Sequence, residues 1–518
     1  MSVTSNPKTI AQLLAAEAQI GAFPFRSLIV GQIGTDGTAT AEQHYDNVER
    51  LTNAQVKGLF GTKSELTGRI LRAREIILGR SPLSVIGLDE SGTGVAAELD
   101  ITVTGTATED GILTFKAIDD DRYTFNVDVL EGDLANDVAL AIKAKIDDLI
   151  AFPATAGAVA LGVFTLTAND LGTIPNKFTV SNINSVAGLT VVAGQFSSGA
   201  NDPVTTTIFD NVQEVRFHAI SWPWENDFAV VDTLLDSRQV FNNDVLQGVA
   251  YIGYDDTEAN ITDKVNGTTP LNTMNLIFMG NRAVTGVNQI VTPPDWRAAE
   301  FMAIEAMRLT DGVPIAEYVT TSAPADVIGG TGSASLAYYN TPLARTDIAN
   351  ASNLFSGTAQ NNLLSDGYTI IGVNSSNTTA IMGQVVSTYK FDKIGNPDNS
   401  FKFLNYIRTG YYALELFFRT LKSINSQARL TEGDIVANRI IRNKKAIEGQ
   451  CIDIYTLLSS QDYMLTMAGQ EATKYFNTNL QVDLDIQNGI VTISGKLPIV
   501  TQIRTINISF QLSFSISG

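Results

Sequence analysis

Few residues in this chain could do chemistry. Among 518 residues there are two histidines, His44 and His218, and one cysteine, Cys451. That supply does not suit a zinc site, which draws mainly on Cys and His, and a single cysteine allows no internal disulfide. His218 falls in the alternating run EVRFHAI (214–220) and reads as a structural strand residue. No serine sits in a G-x-S-x-G nucleophile elbow, and Cys451 carries no reactive signature, so it reads as a small buried side chain.

Two glycine clusters invite a phosphate reading. GQIGTDG (31–37) follows an apolar run, but its spacing is G-x-x-G-x-x-G rather than the dinucleotide fingerprint. GLFGTKS (58–64) ends in Lys63-Ser64 but lacks the four-residue gap and the glycine immediately before lysine that a P-loop needs. VIGGTGSAS (327–335) reads as a loop. Asp119, Asp120 and Asp121 could attract calcium, but without EF-hand spacing they read as a solvated hairpin turn. No catalytic, cofactor-binding or metal-binding residue is assigned, and the chain reads as a non-enzyme with no cofactor.

The elements that would position a site are clearer than the site. SLIVG (27–31) and PLSVIGL (82–88) are short continuous apolar runs, as expected of buried parallel strands, with a helix expected over 42–59 between them. Similar runs return at 214–220, 248–254, 276–279 and 368–373, with helices expected near Trp224 and after Pro293-Pro294-Asp295. Between these two groups the pattern changes to short alternating strands around one amphipathic helix of Leu134, Val138, Ile142, Ile146 and Leu149. The chain is thus divided into an N-terminal arm (1–25), a discontinuous α/β core (26–96 and 201–385), an inserted acidic α+β domain (97–200) and an α+β C-terminal domain (386–518).

The last part carries a long apolar helix through Phe403, Ile407, Leu414 and Leu421. A second helix is expected after Thr431, with Arg439, Arg442, Lys444 and Lys445 crowding its C-terminal half, where positive charge suits the helix dipole. A third is expected from Asp453 to about Phe476. VDLDI (482–486) and IVTI (490–493) flank Asn488-Gly489, a strong hairpin signal. The end of the chain alternates strictly: Ile506, Ile508, Phe510, Leu512, Phe514 and Ile516 share one face of an extended strand. Such an edge aggregates unless it is covered, either within its own sheet or by another copy.

Charge and hydropathy exclude several classes. The net charge of −19 opposes general nucleic-acid binding, and the apolar runs are far shorter than a membrane span. Residues 386–518 hold 14 Lys+Arg against 11 Asp+Glu, or +3, so the remainder carries −22. A basic end on an acidic body suggests different partners for the two. No secretory signal opens the sequence, so the chain is expected to be made in a cytoplasm.

In their order along the chain, several segments resemble the sheath proteins of contractile phage tails, in particular the Mu-like subgroup. FGTKSEL (60–66) looks like an early segment of that group, and TVTGTATEDGILTF with IPNKFTV (174–180) is similar to its protruding domain. VVSTYKFDKIGNPDNSFKFLNYI (385–407) looks like the entry to its last domain, and GKLPIVTQIRTINISFQLSF like the common sheath ending. The resemblance implies a non-catalytic, subtilisin-like α/β core and a subunit that polymerises as stacked hexameric rings around a tail tube. It implies contraction that drives the tube through a host envelope for genome ejection. The partners implied are copies of itself, the tube protein, and the baseplate and terminator proteins, with no direct nucleic-acid contact and no membrane insertion. The location implied is the virion, after assembly in the host cytoplasm.

On that reading the six apolar residues from Ile506 to Ile516 form an exchanged strand. Val482, Leu484, Ile486, Val491 and Ile493 form the hairpin that receives it, and Arg439, Arg442, Lys444 and Lys445 face the tube. The alternatives are another self-assembling shell protein and a hydrolase on the same core.

Overall fold

The computed structural model describes residues 25–118, 122–239, 246–283, 291–310, 341–347, 354–374, 376–425, 428–433, 441–459 and 467–498. The described chain forms two compact units, 25–407 and 408–498. The second begins later than the boundary expected at 386, because Val386 and Thr388 bond into the first: Val386 N–H donates to the Thr369 hydroxyl at 2.9 Å and Thr388 N–H to the Leu276 carbonyl at 3.1 Å.

In the first unit, β1 (Ser27–Gln32) is buried at all six positions, as its apolar run requires. The expected helix at 42–59 is replaced by a short edge strand β2 (His44–Tyr45), a 3-10 turn (Val48–Arg50) and helix α1 (Asn53–Phe60). Asn47 in the left-handed region breaks the segment, and a capping box between Thr52 and Gln55 starts α1. Helix α2 (Glu65–Ile77), capped by Ser64, leads to β3 (Leu83–Leu88).

Residues after β3 leave this sheet and build two others. A four-stranded antiparallel sheet has the order β10-β4-β8-β7, from β4 (Ala96–Gly105), β7 (Ala154–Ala156), β8 (Val163–Leu171) and β10 (Leu189–Val192). A three-stranded sheet joins β5 (Gly111–Ala117), β6 (Thr124–Val129) and β9 (Val180–Asn182). Helix α3 (Ala135–Asp147) buries Val138, Ala139, Ile142 and Ile146 in the core these sheets share. The Asp119–Asp120–Asp121 turn lies outside the described residues.

The α/β layer then resumes with β11 (Ala219–Trp222), α4 (Ala229–Ser237), β12 (Val249–Gly253), α5 (Glu258–Asn266), β13 (Leu276–Gly280) and α6 (Pro294–Thr310). It closes with β14 (Pro342–Leu343), α7 (Gly357–Asp366), β15 (Tyr368–Val373) and β16 (Ala380–Met382). The strand at β11 starts later than its apolar run at 214. The helix near Trp224 starts at Ala229, because the Trp222 indole N–H is taken by the Trp224 and Asp227 carbonyls, holding 223–227 as a loop. The nine strands have the order β14-β16-β15-β13-β12-β11-β1-β3-β2, and the six from β15 to β3 are parallel. Helices α4, α5 and α7 pack one face through Leu234, Ile261 and Leu363, while α2 and α6 pack together on the other.

The second unit begins within α8 (Leu404–Asn425), which runs through Gly410 without a break. Residues 434–440 of the expected basic helix lie outside the described residues, and its expected end at 441–445 is not one helix. Ile441–Arg442 is a short strand β18, parallel to β17 (Arg429–Leu430), and α9 (Lys444–Leu458) starts only at the lysine pair behind the Asn443 cap. The helix expected from Asp453 to Phe476 is two: α9 ends at Leu458, and α10 (Gln470–Asn479) starts after Gly469, which has φ 109°. Strands β19 (Gln481–Asp485) and β20 (Ile490–Ser494) form the hairpin at Asn488-Gly489. Asn488 donates to the Asp485 carboxylate from both its backbone and side chain, and Gly489 supplies the positive φ that the turn needs.

Candidate functional site

The two histidines and the cysteine are packed into the fold. His218 accepts the Arg26 N–H at Nδ1 (3.1 Å) and stacks on Phe25. His44 lies edge-on to Phe217, and burial lowers its pKa, which keeps the ring neutral. Cys451 lies on the buried face of α9, and burial pushes its thiol up to about 12, which disfavours the thiolate. Among the described residues, no group of three or more His, Cys, Asp or Glu is placed to hold a metal.

The two glycine clusters face each other instead of a phosphate. A Cβ on Gly61 would lie 2.9 Å from the Gly34 Cα, and Gly61 has φ 98°, so both glycines serve a close backbone approach. The Asp36 carboxylate already accepts the Thr62 N–H at 3.0 Å, which occupies the donor a phosphate would use. Sequence reading missed this pairing because its members lie in separate segments.

The chain leaves β1 toward β3 on one side and returns to β11 on the other, so β1 and β11 mark a topological switch point. Open α/β sheets bind ligands in the crevice outside the carboxyl ends of the strands at such a point. Here the inserted module grips that edge. Lys177 donates to the Pro223 carbonyl (2.7 Å) and pairs with Asp295 (2.8 Å) and Glu225 (2.6 Å). Asp170 accepts the Glu65 N–H at 2.6 Å, at the start of α2. Thr173 donates to Asp202 through both N–H and hydroxyl, and Glu90 accepts the Leu171 N–H at 3.1 Å. Trp296 of α6 inserts into the core of the module while its indole N–H donates to Glu65 at 3.1 Å.

The charges here fix one another. Burial alone would lower the Lys177 pKa, but its two carboxylates raise it. One cation neutralises one carboxylate. Burial works against ionised Glu225, yet Lys177 holds its pKa below the usual range; for Asp295 burial wins, and its pKa rises to about 7. A polar cavity of about 300 Å³ remains outside, lined by Lys177, Glu225, Asp255, Asp256 and Arg282 among others. Asp255 is taken by Arg297 and by the Asn281 N–H, and Asp256 accepts the Tyr254 hydroxyl at 2.8 Å. The three carboxylates named are engaged within the fold, Glu225 by Lys177, Asp255 by Arg297 and Asp256 by Tyr254.

The expected assembly residues lie in the second unit or outside the described residues. Val482 pairs with Ile493 and Leu484 with Val491, so all four share one hairpin face, packed on Ile447, Cys451, Tyr455 and Phe476. Ile486 is exposed in the turn. The hairpin is a two-stranded sheet, and among the described residues no third strand pairs with either outer edge. Ile506, Ile508, Phe510, Leu512, Phe514, Ile516 and Arg439 lie outside the described residues. Arg442 is half-buried and donates to the Asn425 side chain at 3.0 Å, while Lys444 and Lys445 are exposed. These lysines stand in the first turn of α9, where the dipole opposes them, rather than the last turn expected.

No protein-family model matches the chain, and no curated protein matches it. Among solved structures, the sheath tail protein of Listeria innocua is similar over 95% of this chain and 96% of that one, at 11% identity and a TM-score of 0.46. A chain of the anti-feeding prophage baseplate is similar over 61% of this chain and 76% of that one, at 15% identity and a TM-score of 0.36. No helix among the described residues is long and apolar enough to cross a membrane.

Proposed function

We propose that this chain is a structural subunit of a contractile tail sheath, built as stacked hexameric rings around a tail tube. The observation that carries the reading is the hairpin β19–β20. Its outer edges are unpaired among the described residues, and a strictly alternating segment at 505–518 follows it in sequence. A two-stranded sheet is marginal alone, and a donated strand completes it through main-chain hydrogen bonds. The strand from Ile506 to Ile516 of one copy adds to the hairpin of Val482, Leu484, Ile486, Val491 and Ile493 in a neighbour. Six apolar side chains, at roughly 1.5–3 kcal/mol each when fully buried, hold neighbours together while rings move.

The four-part layout of arm, discontinuous subtilisin-like core, protruding module and assembly domain belongs to the same reading. So do the tube, baseplate and terminator partners, the virion location, contraction and genome ejection. The engaged polar groups at the switch point support a structural role over a hydrolase. Lys444 and Lys445 face the tube, supported by their exposure where a helix gains nothing from positive charge.

Deleting residues 505–518 tests the reading. The truncated protein is expected to stay folded and form no tubes by negative-stain microscopy; normal tubes without the segment would refute strand exchange.

A further inference from the structure

The turn between β19 and β20 carries a reactive pair. Asn-Gly occurs twice in the sequence, at 266–267 and 488–489. A main-chain nitrogen that follows asparagine can attack the side-chain amide and close a five-membered imide, and glycine, with no Cβ, hinders that closure least. The two pairs sit in opposite surroundings.

Asn266 ends α5 and is held at both side-chain polar atoms. Its amide donates to Asp366 at 2.5 Å, and its carbonyl accepts the Lys390 ammonium. A Cβ on Gly267 would lie 2.5 Å from the Asp263 carbonyl oxygen, so main chain crowds this glycine as well. Asn488 and Gly489 are both exposed, and a Cβ on Gly489 would meet nothing within 4 Å. The exposed Asp485 carboxylate accepts the Asn488 side-chain amide at 2.7 Å and its main-chain N–H at 3.1 Å. Among the described residues, the bond to Asp485 is all that restrains the Asn488 side chain.

We propose that Asn488 is a covalent modification site: its side-chain amide is lost through a cyclic imide with Gly489, and Asp485 is the positioning residue that slows the loss. The Gly489 nitrogen attacks Asn488 Cγ. A Cγ–N bond forms, the Cγ–Nδ2 bond breaks, and the Gly489 amide proton leaves with the side-chain nitrogen as ammonia. Water, the one co-reactant, then opens the ring at either carbonyl. The product is aspartate, or isoaspartate, in which the main chain runs through Cβ and Cγ.

Either product undoes the turn. A carboxylate at 488 sets a like charge where a donor stood 2.7 Å from Asp485. Isoaspartate adds a carbon to the main chain between Asp485 and Ile490, and loop length fixes the register of a hairpin. The pairs Leu484–Val491 and Val482–Ile493 then lose their alignment on the core beneath them. Where the hairpin receives a neighbour's strand, conversion takes the subunit out of assembly; that consequence rests on the sheath reading proposed above.

The test incubates the full chain at mildly alkaline pH, below its unfolding temperature, and maps its peptides by mass spectrometry, alongside Asp485→Ala, Asp485→Asn and Asn488→Gln. Aspartate and isoaspartate are expected at 488, with Asn266 intact. Conversion should be fastest in Asp485→Ala and intermediate in Asp485→Asn, which keeps one acceptor oxygen. Asn266 should stay intact in both, since general unfolding would expose both pairs. Asn488→Gln should show no conversion, because its longer side chain cannot close the five-membered ring. An Asn488 that stays intact, or an Asn266 that converts as fast, would overturn the site. Unchanged rates in both Asp485 variants would overturn the role of Asp485. Converted chain, separated by its added charge, is then assembled: tubes formed as readily as by unconverted chain would overturn the effect on the hairpin. Unconverted chain that forms no tubes would sink the sheath reading and leave the modification standing.

Discussion

The two units handle polar groups and edges in opposite ways. In 25–407 the charges are buried and paired. Glu300 takes Arg72 through Nε and Nη2 at 3.1 and 2.8 Å, the Thr346 hydroxyl at 3.0 Å and the Arg345 N–H at 3.0 Å. The sheet ends in short antiparallel edge strands. In 408–498 the core is thin, centred on Ile447, Cys451, Tyr455, Phe476 and Val482, and the hairpin is exposed along most of β20. The first unit pairs these buried charges within itself, and the second leaves the hairpin edges unpaired among the described residues; on the sheath reading proposed above, the first would serve as a rigid body and the second as a joint.

The largest expected effect would break the first half of this contrast. Arg72→Ala strands Glu300 as an unpaired buried charge and is expected to cost about 3–5 kcal/mol, read by chemical denaturation. Gly68→Ala comes next. A Cβ there would overlap the Trp296 ring, and overpacking of this kind costs about 1–3 kcal/mol, read by the same measurement.

Asp295→Asn sharpens the contrast through pH. With its folded pKa raised to about 7 from 3.8, folded Asp295 binds more protons than the unfolded chain between those values. Its contribution to stability is therefore present at low pH and is lost as pH rises toward 7. The asparagine variant should show a flatter stability profile over pH 4–7; an unchanged profile would show that Asp295 ionises normally. The smallest effect belongs to the second unit. Reversing Lys444 and Lys445 to glutamate at the start of α9 should leave stability equal or raise it by about 0.3–1 kcal/mol, while assembly on tubes falls. Undiminished assembly would take the lysines away from the tube.

The sequence made the sheet legible because its strands are covered on both faces. The runs at 27–31, 82–88, 248–254, 276–279 and 368–373 all became parallel strands. The edge strand His44–Tyr45 was hidden, since two residues carry no period. The polar frame was hidden for another reason: Glu65, Arg69 and Arg72 on α2 look like a solvated face, and only Trp296, Glu300 and the β1 carbonyls, far away in sequence, reveal them as buried. Lys177 and Asp295 likewise lie 118 residues apart. The lysine pair at 444–445 reads in the sequence as the end of a helix, but charge near a helix end does not say which end. Asn443 settles it by capping the Ala446 N–H at 3.0 Å.

The contacts of Lys177, Asp170 and Thr173 with the core also set a rule for divergence. It divides the inserted module into a root that is coupled to the core and a crown that is not. Substitutions in the crown are free of the core's constraints, whereas Lys177 can change only together with Glu225 and Asp295. A chimera that imports a foreign module should fold when the cut leaves that root intact, and fail when the cut passes through it.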